Sequence, residues 1–255
     1  MNLYKKILIF ILFFVLLIIT FSSLLNIYEK RGKIEKVFSK SANLKNEIYI
    51  ENNKEKYDLA NKILTDGGYI LHFRHAHREK WIDVTMYDSV EINEKRRAEN
   101  EYFKDAVCLS SMGMIQAKIM GEIWKSLNVP VSKVISSPSC RARQTSEIVF
   151  GGYDEERSIL LHKGPYKENF DEFARDLKEF YLNIKVEPGK NVIVSAHNGL
   201  INEKLFDNIE KMPNEFFLEE GGFYVLKKVE DKLVLIDKFH FFQNFNLQFK
   251  KRPKY

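Results

Sequence analysis

Three apolar stretches of this chain run into residues that can hold and attack an anion. Tyr69–Phe73 leads into Arg74-His75-Ala76, and Val134-Ile135 into Ser136-Ser137-Pro138-Ser139-Cys140-Arg141-Ala142-Arg143. The third, Val192–Ala196, leads into His197-Asn198-Gly199. Guanidinium groups offer paired N–H donors that match phosphate oxygens, and an imidazole can attack or donate a hydrogen bond. If the three stretches are strands of one parallel sheet, their carboxyl ends meet at the edge where such sheets bind ligands. Two histidines and two or three arginines gathered there make a site for a dianion.

The elements that must position these residues follow from periodicity. Leu59 with Ile63, and Ala60 with Leu64, repeat at helical spacing over Lys54–Thr65, which stops at Gly67-Gly68. Ser110 caps a helix running to about Leu127, broken by Pro130, and Ser139 opens another through Phe150. A further helix is predicted from 168 to 182, with Phe170, Phe173, Leu177 and Phe180 on one stripe. Val192–Ala196 reads as a buried strand followed by a helix, and Gly221 precedes two strands, Phe223–Lys227 and Leu233–Phe239. Strand–helix alternation predicts an α/β three-layer sandwich: a mostly parallel central sheet with helices on both faces and an antiparallel closing hairpin. Residues 77–108 form a long charged excursion, a length that usually signals function or mobility.

Charge and hydropathy divide the 255 residues differently. The formal charge is +5, and residues 1–40 account for all of it, so a nucleic-acid groove on the folded part is excluded. Ile7 to Leu25 is 19 uncharged residues, about 29 Å of helix at roughly 1.5 Å per residue, close to the thickness of a bilayer core. A cleavable signal has a shorter apolar core, about 7–15 residues, so an uncleaved single-pass anchor is favoured over a signal peptide. The expected order is an anchor over 1–28, a stalk over 29–53, a catalytic domain over 54–249 and a basic tail over 250–255. Basic residues flank both ends of the apolar run and leave its orientation open; the exported side is favoured for the domain.

The ordered motifs resemble the histidine phosphatase superfamily, relatives of phosphoglycerate mutase. Phe73-Arg74-His75-Ala76 stands for its Arg-His-Gly/Ala signature, and Leu109-Ser110-Ser111-Met112-Gly113-Met114-Ile115-Gln116-Ala117 for its second motif. Ser136 to Thr145 is similar to its arginine-bearing segment, and His197 follows a hydrophobic strand as its second histidine does. The resemblance covers about Tyr69 to Leu235 and implies a phosphohydrolase with His75 as nucleophile, forming a phosphohistidine. Arg74, Arg141 and His197 would grip the phosphoryl oxygens, with no metal or other cofactor required. The wording of the motifs and the apolar N-terminus are similar to envelope phosphatases acting on lipopolysaccharide core heptose phosphate. A phosphorylated small molecule or an envelope glycolipid is the implied substrate; a phosphomutase or a non-catalytic phosphate-binding protein is the alternative.

The acid that protonates the leaving group is the point of departure from the family. Its usual glutamate context is here Leu160-Leu161-His162, and the aspartate that follows the second histidine in another branch is here Asn198. Glu168 is the expected acid, ahead of Asp171, His162, Asp83 and Asp88. His77-Arg78 replaces the family's glutamate after the first motif and either touches substrate or faces water. Simpler roles are expected elsewhere: Ser137 and Ser139 as caps, Arg143 at the surface or in packing, Cys140 as a small buried residue, and His240 as structural. His72, His75 and His77 crowd together, but residues 72 and 75 of a strand face opposite sides, so a zinc site is not expected.

Overall fold

The computed structural model describes residues 54–80, 84–94, 97–161, 169–210 and 217–250. Among them six strands form one sheet: β1 (Ile70–Arg74), β2 (Val131–Ser136), β3 (Glu155–Glu156), β4 (Asn191–Ala196), β5 (Phe223–Val229) and β6 (Lys232–Phe239). Their order is β3-β2-β4-β1-β5-β6. The first four run parallel, β5 is antiparallel to β1, and β6 is antiparallel to β5. Side chains alternate across a strand, so the strands other than β3 feed two cores. Leu71, Phe73, Ile193, Phe223 and Val225 face one, while Ile70, Val192, Val194, Tyr224 and Leu226 face the other.

Helices cover both faces. On the first lie α1 (Lys54–Thr65), α3 (Ser111–Leu127), α4 (Cys140–Phe150) and α6 (Phe242–Lys250), which contribute Ile63, Trp124, Val149 and Phe245. On the second lies α5 (Phe170–Asn183), with Phe173, Leu177 and Tyr181. Phe73 stacks on Phe223 at 4.5 Å and meets Trp124 and Phe150 edge-on. Its full burial stabilises the fold by about 2–3 kcal/mol, and it anchors the strand whose next two residues are Arg74 and His75.

Three local expectations change. The buried stripe of α5 runs through Phe173, Ala174, Leu177 and Tyr181, leaving Phe170 exposed. β4 is followed by two short 3-10 turns, Asn198–Leu200 and Glu203–Leu205, where a helix was expected. Asn198 explains this: its side chain accepts from the Leu218 N–H at 3.0 Å and donates to the Leu218 carbonyl at 3.2 Å, tying the first turn to a distant segment. The two cysteines are paired, so Cys140 is not a free thiol: Cys108 and Cys140 form a disulfide with Cα atoms 4.8 Å apart. The apolar run 7–25, the stalk and the expected basic tail 250–255, apart from Lys250 at the end of α6, lie outside the described residues. No helix among the described residues is long and apolar enough to cross a membrane.

The excursion after β1 is a docked element. It contains α2 (Val84–Asn93) and the short helical turns Ala98–Asn100 and Lys104–Val107, and ends at Cys108. Its acidic residues face the arginines of α4: Asp88 pairs with Arg141, and Glu91 and Glu99 pair with Arg143. Arg143 is thus buried in an ionic cluster rather than at the surface. The disulfide closes this excursion onto α4 across a sequence separation of 32, a constraint worth about 3–4 kcal/mol by the loop-entropy relation. Replacing both cysteines by serine should lower the unfolding free energy by that amount in a urea titration; an unchanged midpoint would show that the bridge is energetically idle.

Candidate active site

Backbone bonds continue the sheet past its strands and fix the three predicted ends against one another. The His75 N–H donates to the Ala196 carbonyl at 3.1 Å, the Ser137 N–H to Ser195 at 2.8 Å, and the Arg74 N–H to Gly222 at 2.9 Å. Arg74, His75, His197 and the start of α4 with Arg141 therefore share one edge. α3 closes against the same edge. A Cβ on Gly113 would come within 1.9 Å of the His77 carbonyl oxygen, so only glycine allows this approach. Ser110 caps α3 by accepting from the Gly113 N–H at 3.1 Å.

The tautomer of His75 follows from its partner. Its Nδ1 lies 2.7 Å from the Ala76 carbonyl oxygen, which can only accept, so Nδ1 carries the proton and Nε2 keeps its lone pair. Burial, then the positive charge of Arg141 and those of Arg74 and Arg78, holds the imidazole well below its usual pKa, against the bond to Ala76. A neutral ring with an available Nε2 is what attack on phosphorus requires.

His197 faces it, with ring centroids 5.4 Å apart. Its Nε2 lies 3.2 Å from both Ser137 Oγ and Ser139 Oγ. Ser139 is the N-cap residue of α4 but makes no side-chain cap bond; the two hydroxyls orient His197 rather than capping. Behind it, the His72 Nε2–H donates to the His197 carbonyl at 3.0 Å, and Tyr181 Oη donates to His72 Nδ1 at 2.5 Å. Burial lowers His72 to about 4, opposed by its backbone bond, and pushes the Tyr181 phenol up, so both stay neutral. Both nitrogens of His72 are committed to this chain.

Arg141 is buried and carries two forks of donors. Asp88 takes the end-on fork, with Oδ1 to Nη1 and Oδ2 to Nη2 both at 2.8 Å. The side-on fork retains an Nε–H that is buried and has no hydrogen-bond partner among the described residues. A buried unsatisfied donor is unusual in a folded protein. Asp88 holds the guanidinium through both of its oxygens. Arg74 donates to the Leu218 carbonyl at 2.6 Å and lies 3.4 Å from Glu220. His77 Nδ1 lies 2.7 Å from Ser110 Oγ, and Arg78 bonds the Glu79 carbonyl while its charge reaches His75.

The expected acid, Glu168, lies outside the described residues, as do His162 and Asp83. Asp171 is exposed and paired with Lys204. Sequence reasoning missed Glu220. The one signal for it is its place in Glu219-Glu220-Gly221-Gly222, immediately before a strand of the same sheet.

No family model matches the chain. Over 118 residues it is 26% identical to the serine/threonine-protein phosphatase Pgam5, mitochondrial, of Drosophila virilis. That match takes in 46% of this chain and 34% of the relative, so it spans about a third of the curated protein's length. Among solved structures, the protein histidine phosphatase SixA with tungstate is similar at 17% identity and TM-score 0.45, covering 67% of this chain and 96% of SixA. An alpha-ribazole-5'-P phosphatase candidate from Escherichia coli is similar at 12% identity and TM-score 0.44, covering 69% of this chain and 99% of that one. The curated match is thus a partial one, to a phosphatase.

Proposed function

We propose that this chain is a membrane-tethered phosphohydrolase that cleaves a phosphomonoester through a phosphohistidine on His75. The observation that carries the reading is the Nδ1–H bond of His75 to Ala76, which leaves a neutral Nε2 on a ring that faces His197 and feels the charge of Arg141. Arg74, Arg141 and His197 bind the equatorial oxygens and offset the charge that develops on them as the leaving oxygen departs. The reaction runs on imidazole and guanidinium groups, without a metal. The uncharged run 7–25 tethers the domain. The Cys108–Cys140 bridge supports an oxidising, exported compartment for it, since disulfides are rare where thiols are kept reduced. An envelope glycolipid phosphate suits such a place, as does a small phosphoester.

The test is p-nitrophenyl phosphate hydrolysis by the full chain in carbonate-washed membranes, with and without EDTA. Activity should remain with the membranes and survive the chelator. Activity lost to EDTA and restored by zinc would overturn the mechanism, and activity released by carbonate would overturn the tether.

A further inference from the structure

We infer that Glu220 is the proton donor to the leaving group, the role for which the sequence offered Glu168; this rests on the phosphohydrolase reading above. Glu220 stands on a segment bonded to the backbone of the nucleophile. The N–H of its neighbour Gly221 donates to the carbonyls of both Arg74 (3.2 Å) and His75 (3.1 Å). Its own carbonyl accepts from Gln116 Nε2 at 2.7 Å, and the Oε1 of the same glutamine accepts from the His77 N–H at 2.8 Å. Gly221 has φ +85, and a Cβ there would meet Met120 Sδ at 2.8 Å, so the close turn depends on glycine. The peptide group between Glu220 and Gly221 is thus bonded on one side to Arg74 and His75 and on the other, through Gln116, to His77.

The side chain lies beside Arg74 and His77. It is 14% exposed, with Oε1 3.4 Å from Arg74 Nη2 and Oε2 4.0 Å from His77 Nε2. These contacts are loose, in contrast to Asp88, both of whose oxygens sit 2.8 Å from Arg141.

The steps balance. His75 Nε2 attacks phosphorus, the bond from phosphorus to the leaving oxygen breaks, and the Glu220 proton passes to that oxygen, giving an alcohol, phosphohistidine and a carboxylate. Water then attacks phosphorus while the Glu220 carboxylate takes its proton. The P–N bond breaks, its electrons return to Nε2, and inorganic phosphate leaves with Glu220 protonated again.

Leaving-group dependence separates this role from the orientation of Arg74. For the full chain, Glu220→Gln should lower kcat/KM for glycerol 2-phosphate by about 100-fold or more, because an alkoxide needs a proton to leave. For p-nitrophenyl phosphate the loss should stay within about 3-fold, because nitrophenolate departs without one. Equal losses on both substrates, no loss on either, or the split appearing in Glu168→Gln instead would overturn the assignment. An unmodified chain inactive on both would refute the phosphohydrolase reading itself, a distinct result.

Discussion

His75→Ala is expected to abolish turnover, by on the order of 10⁴-fold or more, because covalent catalysis needs this imidazole and no other group. Stability should change by no more than about 1 kcal/mol, since the ring makes one local hydrogen bond, to the adjacent Ala76. Its burial also leaves the neutral form favoured, so no buried charge is orphaned by the change. Steady-state kinetics with p-nitrophenyl phosphate, paired with urea denaturation, reads both quantities. Near-normal turnover in the variant would remove His75 from the mechanism; loss of folding would make its role structural.

Asp88→Ala should produce the largest loss of stability among the site variants, about 3–5 kcal/mol. The Asp88 and Arg141 side chains are 3% and 1% exposed, so removing the carboxylate leaves a guanidinium buried without its counter-charge. Activity should fall with it, because the side-on fork of Arg141 is aimed by the end-on grip of Asp88. The double variant Asp88→Leu with Arg141→Met should recover most of the stability while remaining poorly active, since a buried pair replaced by apolar groups is often neutral. Guanidinium titrations of the three proteins decide the matter. A single variant within about 1 kcal/mol of the parent would show that Arg141 is not held as described.

The fold and the site differ in how much of each the sequence disclosed. Strand ends were readable because a short apolar run followed by Arg-His or His-Asn marks a sheet edge, and the structure brings Arg74, His75, Arg141 and His197 to one such edge. Ser110 was readable as a cap because its bond to the Gly113 N–H is local. What escaped depends on contacts distant in the chain. Asp88 meets Arg141 across 53 residues, Glu220 meets Arg74 across 146, and Cys108 meets Cys140 across 32. None of these pairings leaves a periodic trace. Ser139 shows the limit within one residue: its place at the start of α4 was local information, while its hydroxyl's partner, His197, was not. The stripe of α5 failed for a different reason, since Phe170 and Tyr181 both suit a helical repeat and only packing against the sheet selects Tyr181.

The most direct test of the central claim is to trap the intermediate. The full chain, mixed with radiolabelled p-nitrophenyl phosphate and quenched within milliseconds, should carry label that is lost in acid and kept in base, and peptide mapping should place it on His75. Label that survives acid, or label placed on Ser137 or Ser139, would contradict the account.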